Sequence, residues 1–162
     1  MRCFDKSNGL AFFRCVPYDV VKGSKKMKEL EIEAKIEKLD DLLDFVNGEL
    51  DKTGCSEAVR TQVDIASEEI FVNIANYAYA PGSGKARIGL SYSEADNLFE
   101  IVFTDRGIPF DPLAKEDPDT DLSADEREIG GLGIYMVKMS MDKVLYRREN
   151  DQNILTIRKV LS

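Results

Sequence analysis

The sequence predicts an α+β fold, a two-layer sandwich in which three helices lie on one face of a mixed, mostly antiparallel sheet. Two observations lead to this fold class. Apolar residues recur at helical spacing in three stretches and alternate with polar residues in five others. Short turns join several of the alternating stretches, which is typical of antiparallel neighbours. The chain of 162 residues has the length of a single domain.

Each element has its own signal in the sequence. The second helix begins at Ser56, whose hydroxyl can cap it, and ends near Ala80, before Pro81. The predicted order is a strand at 30–34, a helix at 36–50, a second helix at 56–80, strands at 86–92 and 98–102, a loop at 106–129, a third helix at 132–141, and a hairpin of strands at 144–148 and 154–160. A loop this long is uncommon in a compact domain and usually has a function.

The composition excludes several kinds of chemistry. The chain has no histidine, which removes Ser-His-Asp and Cys-His catalysis, histidine-ligated zinc and a phospho-accepting histidine. The net charge of −8 argues against nucleic acid and anionic membrane surfaces as partners. Three cysteines without a close pair are typical of reduced thiols, and no apolar stretch is long enough for a signal peptide or a membrane span. We therefore expect a cytoplasmic protein.

The first 26 residues differ in charge from the rest. Residues 1–27 carry six basic and two acidic residues, a net charge of +4, which leaves 16 basic and 28 acidic residues, net −12, in 28–162. A Gly-Ser-Lys-Lys linker precedes Met27. We expect residues 1–26 to be either a flexible basic arm or upstream sequence ahead of a true start at Met27, and residues 27–162 to form the functional domain.

The first group of candidate site residues lies on the second helix. Glu69, Asn73, Asn76 and Tyr77 are spaced so that they share one helix face, beside an apolar face that can pack on the sheet. A carboxylate and a carboxamide on one stripe can bind hydrated Mg²⁺ and polarise an attacking hydroxyl. The same pattern also fits a solvated polar face of a helix.

The second group follows a predicted strand. Asp105 comes directly after apolar residues, with Gly107 two positions later and Phe110 in the same loop. A carboxylate at the end of a strand can accept a hydrogen bond from an exocyclic amine such as N6 of adenine. A turn that merely ends the strand would also use aspartate and glycine.

The third group opens the third helix. Gly131, Leu132, Gly133 and Ile134 would present backbone amides at a helix N-terminus, where the dipole favours phosphate. A flexible hinge would use the same glycines. The glycines do not match the dinucleotide-binding pattern, and we interpret the similar-looking Gly-Ser-Gly-Lys at 82–85 as a turn because the rest of the P-loop pattern is missing.

Taken in order, these three groups resemble the GHKL ATPase superfamily, whose Bergerat fold occurs in gyrase-type, chaperone and histidine-kinase ATP-binding domains. The closer resemblance is to the branch of anti-sigma-factor serine kinases. It is carried by residues 73–79, 105–112 and 130–137 and covers about residues 28–160. Where several relatives have histidine, this chain has Tyr77, which can still donate a hydrogen bond.

The resemblance implies a histidine-kinase-like domain that binds ATP and Mg²⁺. Asn73 would coordinate the Mg²⁺ that bridges the phosphates, Asp105 would accept the adenine amine, and Gly107 would let the ring approach. Glu69 would activate the nucleophile, and Gly131 and Gly133 would contact the phosphates. The further ATP-binding positions that the resemblance implies are Asn76, Tyr77, Phe110, Arg127, Leu132 and Ile134.

The same resemblance makes residues 112–129 the ATP lid. The segment 111–129 carries eight acidic and two basic residues, so its net charge of −6 opposes closure over ATP unless Mg²⁺ or a basic partner offsets it. Arg127 is the lid residue that we expect to reach the phosphates. We therefore predict that the lid stays mobile until a partner docks.

The implied function is that of an ATP-binding anti-sigma regulatory factor with serine-protein kinase activity. It would transfer the γ-phosphate to a serine of an anti-anti-sigma protein, with a sigma factor as an optional second partner. One alternative is a nucleotide-dependent protein-binding switch without kinase activity. Another is a histidine-kinase catalytic domain, which is less favoured because the chain lacks histidine and a dimerising helical hairpin. Relatives often form dimers, so a homodimer is also an expectation.

Overall fold

The computed structural model describes residues 2–5, 27–114 and 132–161, and in this part of the chain six strands form one sheet. The strands are β1 (Arg2–Asp5), β2 (Lys28–Glu33), β3 (Lys85–Ser93), β4 (Leu98–Asp105), β5 (Lys143–Glu149) and β6 (Gln152–Val160). The α-helices are α1 (Leu39–Leu50), α2 (Glu57–Asn73) and α3 (Leu132–Ser140). They lie on one face of the sheet, which confirms the predicted α+β class and two-layer arrangement.

The strand order across the sheet is β1-β5-β6-β4-β3-β2. Every pairing between described strands is antiparallel. The predicted sheet is mostly antiparallel but mixed, and the described strands contain no parallel pair. β1, which the sequence does not predict, pairs with β5 at one edge of the sheet. β2 forms the other edge. The two strands that flank residues 6–26 in sequence, β1 and β2, therefore lie at opposite edges of the sheet.

Strand alternation builds the core on the helix-facing side, which we call the inner face. Ile88 pairs with Phe103, and Phe103 pairs with Leu155, so that one apolar row runs across three strands. Leu90, Ile101 and Ile157 form the next row, and all six side chains are buried. Burial of such a face is the main stabilising contribution to a domain of this size.

The second helix begins as the sequence predicts and ends differently. The Ser56 side chain accepts a hydrogen bond from the backbone N–H of Val59, which confirms the cap. The apolar stripe of α2 is buried against the sheet, as expected from its spacing. At Asn73 the α-helix passes into a π-helical turn, Ile74–Ala78, which reaches close to the predicted end but changes the positions of its side chains.

Residues 82–84 form no helix or strand before β3, and the Lys85 ammonium lies 2.6 Å from the Glu31 carboxylate, which confirms the interpretation of this segment as a turn. The predicted loop and lid fall outside the described residues from position 115 to position 131. None of the helices that the structure describes is long and apolar enough to cross a membrane.

Candidate functional site

A cleft with about 540 Å³ of empty space, part of it open to solvent, lies between α2, its π-helical turn, the ends of β4 and β6, and the start of α3. Most of its lining is apolar, including Ile70, Ile74, Ala78, Phe103, Ile108, Phe110, Pro112, Ile134 and Leu155. The polar residues that line it are Asn73, Tyr77, Asp105, Tyr146 and Asn153. An apolar cleft with a few convergent polar groups is the usual form of a small-molecule site.

Asp105 is the last residue of β4 and is only 7% exposed. Its Oδ1 accepts two hydrogen bonds, one from the backbone N–H of Gly107 and one from Nδ2 of Asn153, both 2.8 Å long. No described residue donates a hydrogen bond to the other carboxylate oxygen, Oδ2. The first oxygen is therefore held by the protein, and the second is available to a donor in the cleft.

Asn153, which no pattern in the sequence marks as a site residue, holds Asp105 in place. Its Nδ2 donates to Asp105 and to the carbonyl of Ile108 at 2.9 Å, while its Oδ1 accepts from Tyr146 and from Arg148, both at 2.9 Å. A flipped amide would place an oxygen against the Asp105 carboxylate, so the observed orientation is fixed. Asn153 pairs with Asp105 between β4 and β6, a long-range register that sequence patterns do not reveal.

Tyr146 and Arg148 complete this network from β5. Burial, followed by the nearby charge of Asp111, raises the pKa of the Tyr146 phenol, so the hydroxyl stays protonated and can donate to Asn153. Arg148 also donates to the carbonyl of Gly107 at 3.3 Å. Hydrogen bonds from Arg148 of β5 and Asn153 of β6 therefore hold the loop that follows Asp105.

Gly107 is required for close backbone packing. A Cβ at this position would collide with the carbonyl group of Ala78 in the π-helical turn. The neighbouring Ile108 N–H donates to that carbonyl at 2.9 Å, which joins the loop to the end of the helical segment. This contact brings Ile108 and Phe110 to the cleft wall. The predicted role of Gly107 in allowing a ring to approach stays a prediction.

Glu69 and Asn73 mark the other end of the cleft region. They are one turn apart on α2, and both are half-buried. A Cβ at Gly133 would collide with the Glu69 carboxylate, so this carboxylate lies against the first turn of α3. Neither side chain makes a hydrogen bond or ion pair with any described residue. The described part of the chain therefore leaves their polar atoms available to a ligand.

The remaining predicted residues divide into three groups. Tyr77, Phe110 and Ile134 line the cleft, and the first two are more than half exposed. Asn76 and Leu132 are exposed and do not line it. Asn76 departs from the expected helix face because the α-helical spacing ends at Asn73. Arg127 and Gly131 lie outside the described residues.

The polar side chains at this end of the cleft are too few to hold a metal ion without further ligands. The described residues contain no group of three or more side chains of the types that hold a metal by themselves. Asn73 offers a carboxamide oxygen, and Glu69 lies on the preceding turn. Mg²⁺ commonly takes one or two protein ligands and fills its other positions with water and substrate phosphates. These residues therefore fit an ion that arrives with a phosphate ligand.

The fold and this cleft define a nucleotide-binding domain built on a two-layer α+β scaffold. One end has a fixed carboxylate with a free acceptor among apolar walls, and the other has polar side chains beside the start of a helix. The sequence model of the histidine kinase-like ATPase domain matches residues 32–159, so the chain belongs to that family.

Two relatives that the chain is similar to are protein kinases. The chain is 28% identical over 142 residues to the serine-protein kinase RsbW of Halalkalibacterium halodurans, covering 82% of each chain. It is 26% identical over 102 residues to the serine/threonine-protein kinase BtrW of Bordetella bronchiseptica, covering 63% of this chain and 71% of the relative.

A solved structure confirms the fold. The crystal structure of the RsbU and RsbW domains of Rv1364c from Mycobacterium tuberculosis matches 83% of this chain with a TM-score of 0.58 and 15% identity. The match spans about a third of that longer chain, 32% of its length.

Proposed function

We propose that this protein is an ATP-dependent serine-protein kinase of the anti-sigma type, which transfers the γ-phosphate of ATP to a serine of an anti-anti-sigma protein. A sigma factor is its optional second partner, and the cytoplasm is the compartment where these partners occur. Membership of the histidine kinase-like ATPase family and similarity to serine-protein kinases support this proposal. The division into residues 1–26 and 27–162 and the formation of a homodimer stay predictions.

The observation that carries the proposal is the free oxygen of Asp105. Asp105 is 7% exposed and lines the cleft, and its Oδ2, to which no described residue donates a hydrogen bond, can accept one from a ligand donor. The exocyclic amine of adenine is such a donor, and the apolar walls around Asp105 match the faces of a purine ring. The network through Asn153 keeps Oδ2 aimed at the cleft before the nucleotide binds.

The other end of the cleft supplies the groups that phosphoryl transfer needs. In the proposed reaction, the serine oxygen attacks the γ-phosphorus, the bond from that phosphorus to the β,γ-bridging oxygen breaks, and ADP leaves. Glu69 accepts the proton of the serine hydroxyl. Asn73 would supply an oxygen ligand to Mg²⁺, which would neutralise phosphate charge, and the backbone amides at the start of α3 would offer hydrogen-bond donors to the phosphates.

The test uses the full chain, [γ-³²P]ATP with magnesium chloride, and the small anti-anti-sigma protein encoded nearest to this gene. The expected result is label on a serine of that protein, and none when the kinase is omitted. Calorimetry with the non-hydrolysable analogue AMP-PNP measures binding separately. Binding without label transfer would contradict the kinase proposal and leave a nucleotide-dependent protein-binding switch. Absence of both would contradict the nucleotide site itself.

A further inference from the structure

The side of the sheet opposite the helices, the outer face, carries an apolar patch at its centre. Val102 pairs with Thr156, which pairs with Leu145, and the adjacent row places Thr104 beside Ile154. We call these five residues the outer patch. Apart from Val102, which is half-buried, its members are at most 8% exposed.

The described helices do not account for this burial. Leu145 and Ile154 do not belong to the core cluster, and the described helices lie on the inner face. On the same outer face, Arg87 and Glu31 are exposed, as side chains on an uncovered sheet should be. A leucine and an isoleucine on an open sheet would remain considerably exposed, so another layer covers the outer patch.

The chain connection between β1 and β2 leads across the sheet. Asp5 pairs with Lys143 at one edge, and Lys28 pairs with Leu90 at the other. The two edges are five strand spacings apart, or about 24 Å at about 4.8 Å each. The 21 residues of segment 6–26 can span about 70 Å when extended, so they can cross the sheet with length to spare. The helices already occupy the inner face.

Met27 shows on which face the segment arrives. A Cβ at Gly89 would stand 2.6 Å from the Met27 sulfur. Gly89 pairs with Val102 and points to the outer face, because its neighbours Ile88 and Leu90 belong to the inner face. The last residue before β2 therefore packs on the outer face, beside the outer patch.

The composition of segment 6–26 suits this position. It contains apolar side chains in a short cluster at Leu10, Phe12 and Phe13, followed by further valines. It also has five basic residues and one acidic residue, a net charge of +4, against the net charge of −12 of residues 28–162. Apolar contact over the patch and attraction by the acidic domain both favour docking.

We propose that segment 6–26 docks on the outer patch and forms a third layer of the domain. The segment is then neither a free arm nor dispensable sequence, because it covers apolar surface that the strands would otherwise expose. A second copy of the chain would compete for the same surface, so the docked segment keeps this face from pairing with another molecule. The inference does not depend on the kinase activity.

The test measures how fast a cysteine in the outer patch reacts with a maleimide. The reporter is T156C in the full chain with Cys3, Cys15 and Cys55 replaced by serine, and the matched control is R87C, an exposed position on the same face. We expect T156C to react at least about tenfold more slowly than R87C. Adding L10D, F12D and F13D should raise the rate of T156C about tenfold and leave that of R87C unchanged.

Three results would overturn the inference. In the first, the triple substitution leaves T156C protected. In the second, L122D with I129D exposes T156C instead, which would assign the cover to segment 115–131. In the third, protection increases with protein concentration, which would assign it to a second copy.

A second measurement does not depend on the stability of those variants. With Cys3 and Cys55 replaced by serine, a short bis-maleimide should join T156C to the native Cys15 within one chain when the incubation is long enough for the slow T156C thiol to react completely with a monofunctional maleimide in a parallel sample. A cross-link only at the mass of two chains, or none, would contradict the docked segment.

Discussion

The two ends of the cleft differ in how much of each is built by the protein alone. At the Asp105 end, hydrogen bonds from Gly107 and Asn153 hold one carboxylate oxygen, and Tyr146 and Arg148 in turn hold Asn153. No described residue donates to the other oxygen. At the Glu69 end, neither Glu69 nor Asn73 bonds to a described residue. One end is organised before a ligand binds, and the other has polar groups that a charged ligand can complete.

This difference indicates that one end of the cleft selects the ligand and the other end interacts with its charged part. A preorganised acceptor costs little to order on binding, so it can select the base with high discrimination. Groups that the described part of the chain leaves unpaired can instead form their hydrogen bonds with a charged ligand when it binds. Substitutions at the two ends should therefore affect different measured quantities.

Glu69→Gln should separate transfer from binding most clearly. The variant keeps the shape of the side chain but cannot accept the serine proton, so the rate of label transfer should fall about 10²–10⁴-fold. Affinity for AMP-PNP should change less than about twofold, because Glu69 does not contact the base in this account. Glu68→Gln, at an exposed neighbouring position, is the matched control and should transfer label normally. Equal rates in both variants would remove Glu69 as the base.

Asp105→Asn should weaken binding itself. The amide can preserve the contacts at one oxygen but places a donor where the adenine amine also donates, so affinity for AMP-PNP should fall about 10- to 100-fold in calorimetry. Asp44→Asn, exposed on α1, should bind as the unmodified chain does. Unchanged affinity in Asp105→Asn would show that the base lies elsewhere.

Asn153→Ala should reduce both affinity and stability. Without the amide, Asp105 loses a donor, and the Tyr146 hydroxyl and Arg148 lose an acceptor in a buried network. We expect about tenfold weaker AMP-PNP binding and a free energy of unfolding lower by about 1–3 kcal/mol in urea denaturation. Loss of stability with normal affinity would mean that Asn153 supports the fold without positioning Asp105.

The same glycine substitution should act differently at the two ends. In Gly107→Ala the new methyl group meets the Ala78 backbone, which cannot move aside, so unfolding free energy should fall by about 1–3 kcal/mol. In Gly133→Ala it meets the flexible end of Glu69, so stability should change by less than about 1 kcal/mol while label transfer slows. Gly48→Ala, with open space around it in α1, is the control and should be neutral or stabilising. Equal destabilisation of the two ends would contradict the contrast between them.

Local signals in the sequence were sufficient for much of the fold and part of the site. Alternation and helical spacing predict β3, β4, α1 and α3, and the position of Asp105 at a strand end follows from the apolar run before it. The cap at Ser56 is equally local. These features depend on residues a few positions apart, which periodicity and capping rules describe.

The missing parts depend on long-range pairing or on small changes in helix geometry. Asn153 reaches Asp105 only because β6 lies next to β4, although the two residues are 48 positions apart in sequence. The π-helical turn shifts Asn76 away from the predicted face, and helical spacing alone does not distinguish it from an α-helical turn. The four residues of β1 are too few for an alternating pattern.

The central claim, that Asp105 reads an adenine amine, is tested most directly by calorimetric titration of the full chain with ATP and with GTP in magnesium buffer. Guanine has a carbonyl oxygen where adenine has its amine, and this oxygen would face the free Asp105 oxygen without a proton between them. The account predicts binding of ATP and at least about 100-fold weaker binding of GTP. Equal affinities for the two nucleotides would contradict it.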